Sequence, residues 1–151
     1  MTEPTASSIK KVLVIDDESS IVTYLRTVLE DEGYKTCSAN DAEEGLAVAR
    51  EQLPDLITLD IMMPKRSGIA LYQDLKLDSE LCGIPVIIVS AFSRNSDFRP
   101  DSFRKIVPDE RIPIPEAYLE KPIVVTAFLQ TVMSMIGSIA SQPLADGGEQ
   151  S

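Results

Sequence analysis

Five short runs rich in Val, Ile and Leu alternate with segments of helical periodicity along this chain, and that alternation leaves few folds open. The first run, residues 10–16, reads as a strand. It is followed by a helix over 19–32, where Ile21, Leu25, Val28 and Leu29 recur at helical spacing, with Ser19 or Ser20 to cap its start and Gly33 to end it. A strand over 34–39 precedes a helix over 42–53 with Leu46, Ala49 and Leu53 on one face. A strand over 55–60 runs into the loop Met62-Met-Pro-Lys-Arg-Ser-Gly68 and a helix over 68–77. A fourth strand is expected over 84–90, a short fifth over 117–120, and a last helix over 123–139. Continuously apolar strands that alternate with helices make an α/β fold with a doubly wound, five-stranded parallel sheet.

Two of the strands end in acids. The run Lys11-Val-Leu-Val-Ile closes on Asp16 and Asp17, and Leu56-Ile-Thr-Leu closes on Asp60. In an open parallel sheet these carboxyl ends share one edge, and the ligand crevice lies beyond that edge where the strand order reverses. Three carboxylates held together there repel one another unless a cation sits among them. A donor set made only of oxygen favours a hard divalent ion, Mg²⁺ or Mn²⁺.

Composition excludes several functions. With 151 residues, 44% of them apolar, the chain is long enough for one domain with a real core and too short for two. That domain is expected over 10–139, between a disordered start at 1–9 and a disordered tail at 140–151. Fourteen basic residues against 24 acidic ones give a net charge of -10, which argues against nucleic acid or a membrane surface as partner. The absence of His removes a Ser/His triad, most zinc sites and any phosphohistidine on this chain. Cys37 and Cys82 read as reduced, buried or half-buried thiols of a cytoplasmic protein, and the first eight residues lack a signal-peptide pattern.

Two further residues join the acids at the same edge: Ser90 at the end of the fourth strand, and Lys121, followed by Pro122, after the fifth. Together with the intervals between them, these five positions resemble the receiver domain of two-component response regulators, single-domain and CheY-like, over roughly residues 10 to 139. The resemblance implies a flavodoxin-like strand order, 2-1-3-4-5, and phosphoryl acceptance on Asp60. It implies Mg²⁺ held by Asp16, Asp17, Asp60 and the backbone carbonyl of Met62, with Mn²⁺ as the other candidate. Ser90 and Tyr118 match the hydroxyl and the aromatic of the switch, Lys121 the lysine that meets the phosphoryl group, and Pro64 and Gly68 the turn after the acceptor. The Lys121–Pro122 peptide bond is implied to be cis. Such a chain is a switch rather than an enzyme, at most taking phosphate from small donors and losing it again. Its implied partners are a sensor histidine kinase or a histidine phosphotransfer protein upstream and a protein target downstream.

Taken singly, each residue has a plainer role. Asp16 and Asp17 suit a helix start, Ser90 is common at strand ends, Lys121-Pro122 suits a turn, and Tyr118 suits a core. Their joint placement is what points to phosphoryl chemistry. Other readings stay open: the receiver portion of a longer transcription factor or enzyme, or an unphosphorylated binding module. An aspartate-nucleophile hydrolase is also conceivable, but it needs a second Asp where Met62 stands.

The chain also departs from the family. Thirty-one positions separate Ser90 from Lys121, more than is usual, and the extra residues fall in the fourth-helix region. Residues 92–100 lack helical periodicity, and Pro108, Pro113 and Pro115 bar a helix interior, which leaves at best a turn of helix over 101–106. The segment is either a tolerated surface insertion or a remodelled output face. Met62 and Phe92 are large and apolar where the family is often polar, which is expected to slow loss of the phosphate to water. Finally, the 24 residues between Lys121 and Asp146 carry no Asp, Glu, Lys or Arg. On a helical wheel Val125, Phe128, Leu129, Val132, Met135, Ile136 and Ile139 should pack on the sheet. Thr126, Ala127, Gln130, Ser134 and Gly137 form an uncharged outer face, expected to meet a partner or a second copy of the chain or to lie bland in solvent.

Overall fold

The computed structural model describes residues 9–61, 68–91, 103–105 and 107–137. The expectations for residues 1–8 and 140–151 of the two tails, for Met62, Pro64 and Ile139, and for the segment 92–102, Phe92 included, lie outside the described residues. Among the described residues nine regular elements follow in order: β1 (Lys11–Ile15), α1 (Ser19–Asp31), β2 (Lys35–Ala39), α2 (Ala42–Gln52), β3 (Leu56–Asp60), α3 (Gly68–Leu77), β4 (Val86–Ala91), β5 (Ala117–Lys121) and α4 (Val125–Ile136). The strands form one sheet in the order β2-β1-β3-β4-β5, with every pairing parallel. This is the fold class and strand order that the resemblance implied.

Both faces of the sheet are covered, and the strand residues divide between them by alternation. Leu13 and Ile15 of β1, Ile57 and Leu59 of β3, and Val86 and Ile88 of β4 pack with Ala49 of α2 and Leu71, Tyr72 and Leu75 of α3. Val12 and Val14, Leu56, and Ile87 and Val89 pack on the other side with Leu25 and Leu29 of α1 and Phe128 and Val132 of α4. The order steps one way from β1 to β2 and the other way from β2 to β3 and β4, so right-handed crossovers set α1 on one face and α2 and α3 on the opposite one.

Three local expectations are corrected. Helix α1 is capped neither by Ser19 nor by Ser20: Glu18 is the N-cap, its side chain makes no capping bond, and both serines already lie in the helix. The helix begins one residue early because the Glu18 carbonyl already accepts from the Ile21 and Val22 amides. Leu53 does not continue the apolar face of α2. It adopts φ 45° and is 54% exposed, because the chain turns left-handed there to enter β3 while the Leu53 amide still bonds to the Ala49 carbonyl. Cys82 is exposed rather than buried, since it sits in the turn after α3, whereas Cys37 is half-buried.

The described part of the long β4–β5 connection is not an appended surface loop. Phe103, Val107 and Ile112 are each buried to 1% exposure or less and belong to the α2/α3 side of the core. Phe103 meets the Tyr72 ring edge to face at 5.6 Å, and the Tyr72 hydroxyl donates to the Pro113 carbonyl at 2.7 Å. The Arg104 guanidinium donates to the Val107 and Asp109 carbonyls, and the Val86 amide donates to Glu116. Residues 103–105 are helical, within the turn of helix expected over 101–106, and the Val107 amide donates to the Phe103 carbonyl at 2.9 Å; apolar anchors and side-chain bonds fix the stretch that follows.

Candidate functional site

The sheet order reverses between β1 and β3, so the crevice expected of such folds opens where these two strands end. Asp16 follows β1 directly and Asp60 is the last residue of β3. Both are buried, at 2% and 3% exposure, while Asp17 is exposed. Each of the three offers a carboxylate oxygen, and these oxygens lie within 4.8 Å of one another. Register brings up the rest: Asp60 pairs with Val89, which places the buried Ser90 one residue beyond it, and Ala91 pairs with Lys121.

Lys121 is the cation of the cluster. Its Nζ lies 2.9 Å from Asp16 Oδ2, 3.3 Å from Glu18 Oε1 and 3.5 Å from Asp60 Oδ2. Burial alone would lower the pKa of this ammonium, but the hydrogen bond with Asp16 and the charges of Asp60 and Asp16 hold it above its ordinary 10.5. The Lys121–Pro122 bond is cis. Asp16 is further fixed through its Oδ1, which accepts from the Glu18 amide at 2.9 Å. Asp17 makes no hydrogen bond or ion pair among the described residues. Among the described residues, four carboxylates, counting Glu18, thus lie around the Lys121 ammonium. Such an excess of negative oxygen in a partly dry crevice fits a divalent cation.

One partner of this site escaped the sequence reading: Glu18, whose carboxylate shares Lys121 with Asp16 and Asp60. Its position, next after the acidic pair, was the available signal. Tyr118 pairs with Ile88 on β5, three positions before Lys121, and packs against the α2/α3 side of the core. Its hydroxyl is buried with no hydrogen-bond partner among the described residues, and burial pushes its pKa up to about 12. A buried phenol without a partner costs about 1–3 kcal/mol, so this ring is held in place by packing alone.

Beside Lys121, a groove of about 540 Å³ opens between the end of β5 and the start of α4, lined mostly by apolar atoms of Leu119, Pro122, Ile123, Val124 and Ala127. On α4, Phe128 and Val132 are buried while Thr126, Ala127, Gln130 and Ser134 are exposed, the division expected from the wheel. No described helix is long and apolar enough to cross a membrane.

Known proteins are similar to this chain in sequence and in fold. The polar-differentiation response regulator DivK of Brucella anthropi is 38% identical over 130 residues, an alignment covering 85% of this chain and 97% of that one. Among solved structures, the chemotaxis protein CheY4 of Vibrio cholerae superposes with a TM-score of 0.70 at 25% identity, covering 84% of this chain and 98% of the other. The receiver domain of the Francisella response regulator 1452 gives 0.66 at 30% identity, with coverages of 84% and 96%. Residues 12–100 match the family described as the response regulator receiver domain, and with the strand order and the acidic crevice in place, the chain belongs to that family.

Proposed function

We propose that this receiver works as an Mg²⁺-dependent phospho-accepting switch with Asp60 as the acceptor. The observation that carries the reading is the meeting of Asp16, Asp17 and Asp60 within 4.8 Å, with the Lys121 ammonium beside them. Asp16, Asp17 and Asp60 would hold the ion, with the Met62 backbone carbonyl as a further ligand by family likeness. The ion would supply positive charge against the oxygens of the incoming phosphoryl group.

The protein's own residues do the rest. An Asp60 oxygen attacks phosphorus as the bond to the donor nitrogen breaks, which leaves an acyl phosphate on Asp60; the phosphohistidine ring of a histidine kinase or phosphotransfer protein, protonated on its other nitrogen, takes the bonding pair and leaves as neutral imidazole. Lys121 offsets the charge gathered on the transferring group. Ser90, at the same edge, then turns toward the phosphoryl oxygens, and Tyr118, whose buried hydroxyl holds nothing in place, repacks in response. The output is a changed protein-binding surface in the cytoplasm, and the chain acts as a switch rather than as an enzyme. Residues 10–139 form the receiver unit. Acetyl phosphate with Mg²⁺ should add one phosphoryl group to the wild type by intact mass and none to Asp60→Asn; equal labelling of the two would remove the proposal.

A further inference from the structure

Glu18 occupies the N-cap of α1, yet its side chain makes no capping bond, and no acidic residue stands in the first turn of that helix. A carboxylate at a helix start ordinarily turns to the free amides there. This one instead reaches across to β5 and meets Lys121 Nζ at 3.3 Å, closer than Asp60 at 3.5 Å. The glutamate is 59% exposed, whereas the lysine is only 13% exposed. The ammonium is therefore shared between two carboxylates of the crevice, Asp16 and Asp60, and one acid outside it.

We propose that Glu18 is a positioning residue: it holds the Lys121 ammonium back from Asp60 in the unphosphorylated protein and releases it to the phosphoryl group. This rests on the reading of Asp60 as acceptor. Two consequences follow from charge and reach. Lys121 must leave Glu18 to meet an incoming phosphoryl group, so the pair slows acceptance by the worth of a half-exposed ion pair. With Glu18 gone, the ammonium leans wholly on Asp16 and Asp60, and these become poorer ligands for a divalent ion. An aspartate in its place keeps the charge but lacks the methylene needed for the contact.

The experiment uses the full chain as wild type, Glu18→Gln, Glu18→Asp, Lys121→Met and the double variant Glu18→Gln with Lys121→Met. Labelling by acetyl phosphate with Mg²⁺ should run about twofold to fivefold faster in Glu18→Gln, through a lower half-saturating donor concentration, and Glu18→Asp should follow it. Mg²⁺ affinity, read by calorimetry without any donor, should fall about twofold in Glu18→Gln and much less when the same change is made in Lys121→Met. The proposal is overturned if Glu18→Gln changes neither quantity, if Glu18→Asp behaves as the wild type, or if the Mg²⁺ effect persists in full without Lys121. Absence of label on the wild type would count against Asp60 as acceptor, and the Mg²⁺ titrations would still decide the role of Glu18.

Discussion

Gly68 opens α3 so close to the end of β3 that a methyl group there would stand 2.5 Å from the Asp60 carbonyl oxygen and 2.6 Å from Ile61 Cα. Both obstacles are backbone, so neither can swing aside as a side chain would. Ordinary contact begins at 3.4 Å, and Gly68→Ala must therefore push helix and strand apart by close to 0.9 Å. Overpacking of that order costs about 1–3 kcal/mol, offset in part by the roughly 1 kcal/mol by which a helix prefers Ala to Gly. The net loss, between zero and about 2 kcal/mol, corresponds to a fall in Tm of up to about 7 °C for a domain of this size. The larger effect falls on function, because the displaced carbonyl belongs to Asp60 itself. A misplacement near 1 Å costs on the order of a hundredfold in rate, so labelling by acetyl phosphate should drop far more than stability does. Gly83→Ala is the control, since a methyl there meets nothing within 4 Å. The variants should be compared by thermal unfolding followed by circular dichroism and by a time course of intact mass. Wild-type labelling and an unchanged Tm in Gly68→Ala would refute the reasoning.

Asp17→Asn should weaken Mg²⁺ binding, measured by calorimetry, more than Asp16→Asn, because Asp16 is already engaged by Lys121 and the Glu18 amide; the reverse order would exchange their roles. Ile112→Ala should cost about 2–5 kcal/mol, a fall in Tm of about 5–15 °C, whereas a segment merely laid on the surface would lose almost nothing. Lys76 is buried with its ammonium on the Cys82 and Ile84 carbonyls, and burial lowers its pKa although Glu116 and Cys82 oppose the shift. Between that lowered value and 10.5 the unfolded chain binds more protons than the folded one, so stability should rise with pH there. Denaturant titrations should show this rise in the wild type relative to Lys76→Met; parallel curves would contradict it. Gln130→Glu with Ser134→Lys should leave folding intact and weaken self-association or partner capture through the exposed face of α4, and unchanged sedimentation and pull-downs would count against that face.

Alternation of apolar runs and helical spacing made the sheet legible from the residues, because strands buried on both faces have little compositional freedom. Asp16, Asp60 and Lys121 were legible for a related reason: strand ends in such a fold share an edge, and chemistry placed there is displayed by position in the chain. The errors came where backbone geometry decides. Ser19 and Ser20 are better capping residues than Glu18, yet the chain leaves β1 in a way that starts the helix early. Leu53 has the right spacing for the face of α2, but the left-handed exit turns it to solvent. Glu18 went unnoticed because its partner lies 103 residues away: its place next after the acidic pair marks the residue, and not the contact it makes.

The connection between β4 and β5 has a consequence in the currency of hydrogen exchange. Its described part is pinned by the Tyr72 hydroxyl on Pro113, by Arg104 on two carbonyls and by the buried Phe103, Val107 and Ile112, while the Val107 and Ile112 amides donate to the Phe103 and Asp109 carbonyls. Such a stretch opens as a unit when its anchors withdraw, at a free energy below that of the sheet beneath it. Amides of 107–116 should therefore exchange earlier than those of β1 and β3, and the opened state would lay Tyr72 bare beside Tyr118 without unfolding the acidic crevice. A partially open form of this kind on the flank of the sheet would have a population set by side-chain anchors, separable from the stability of the acidic crevice.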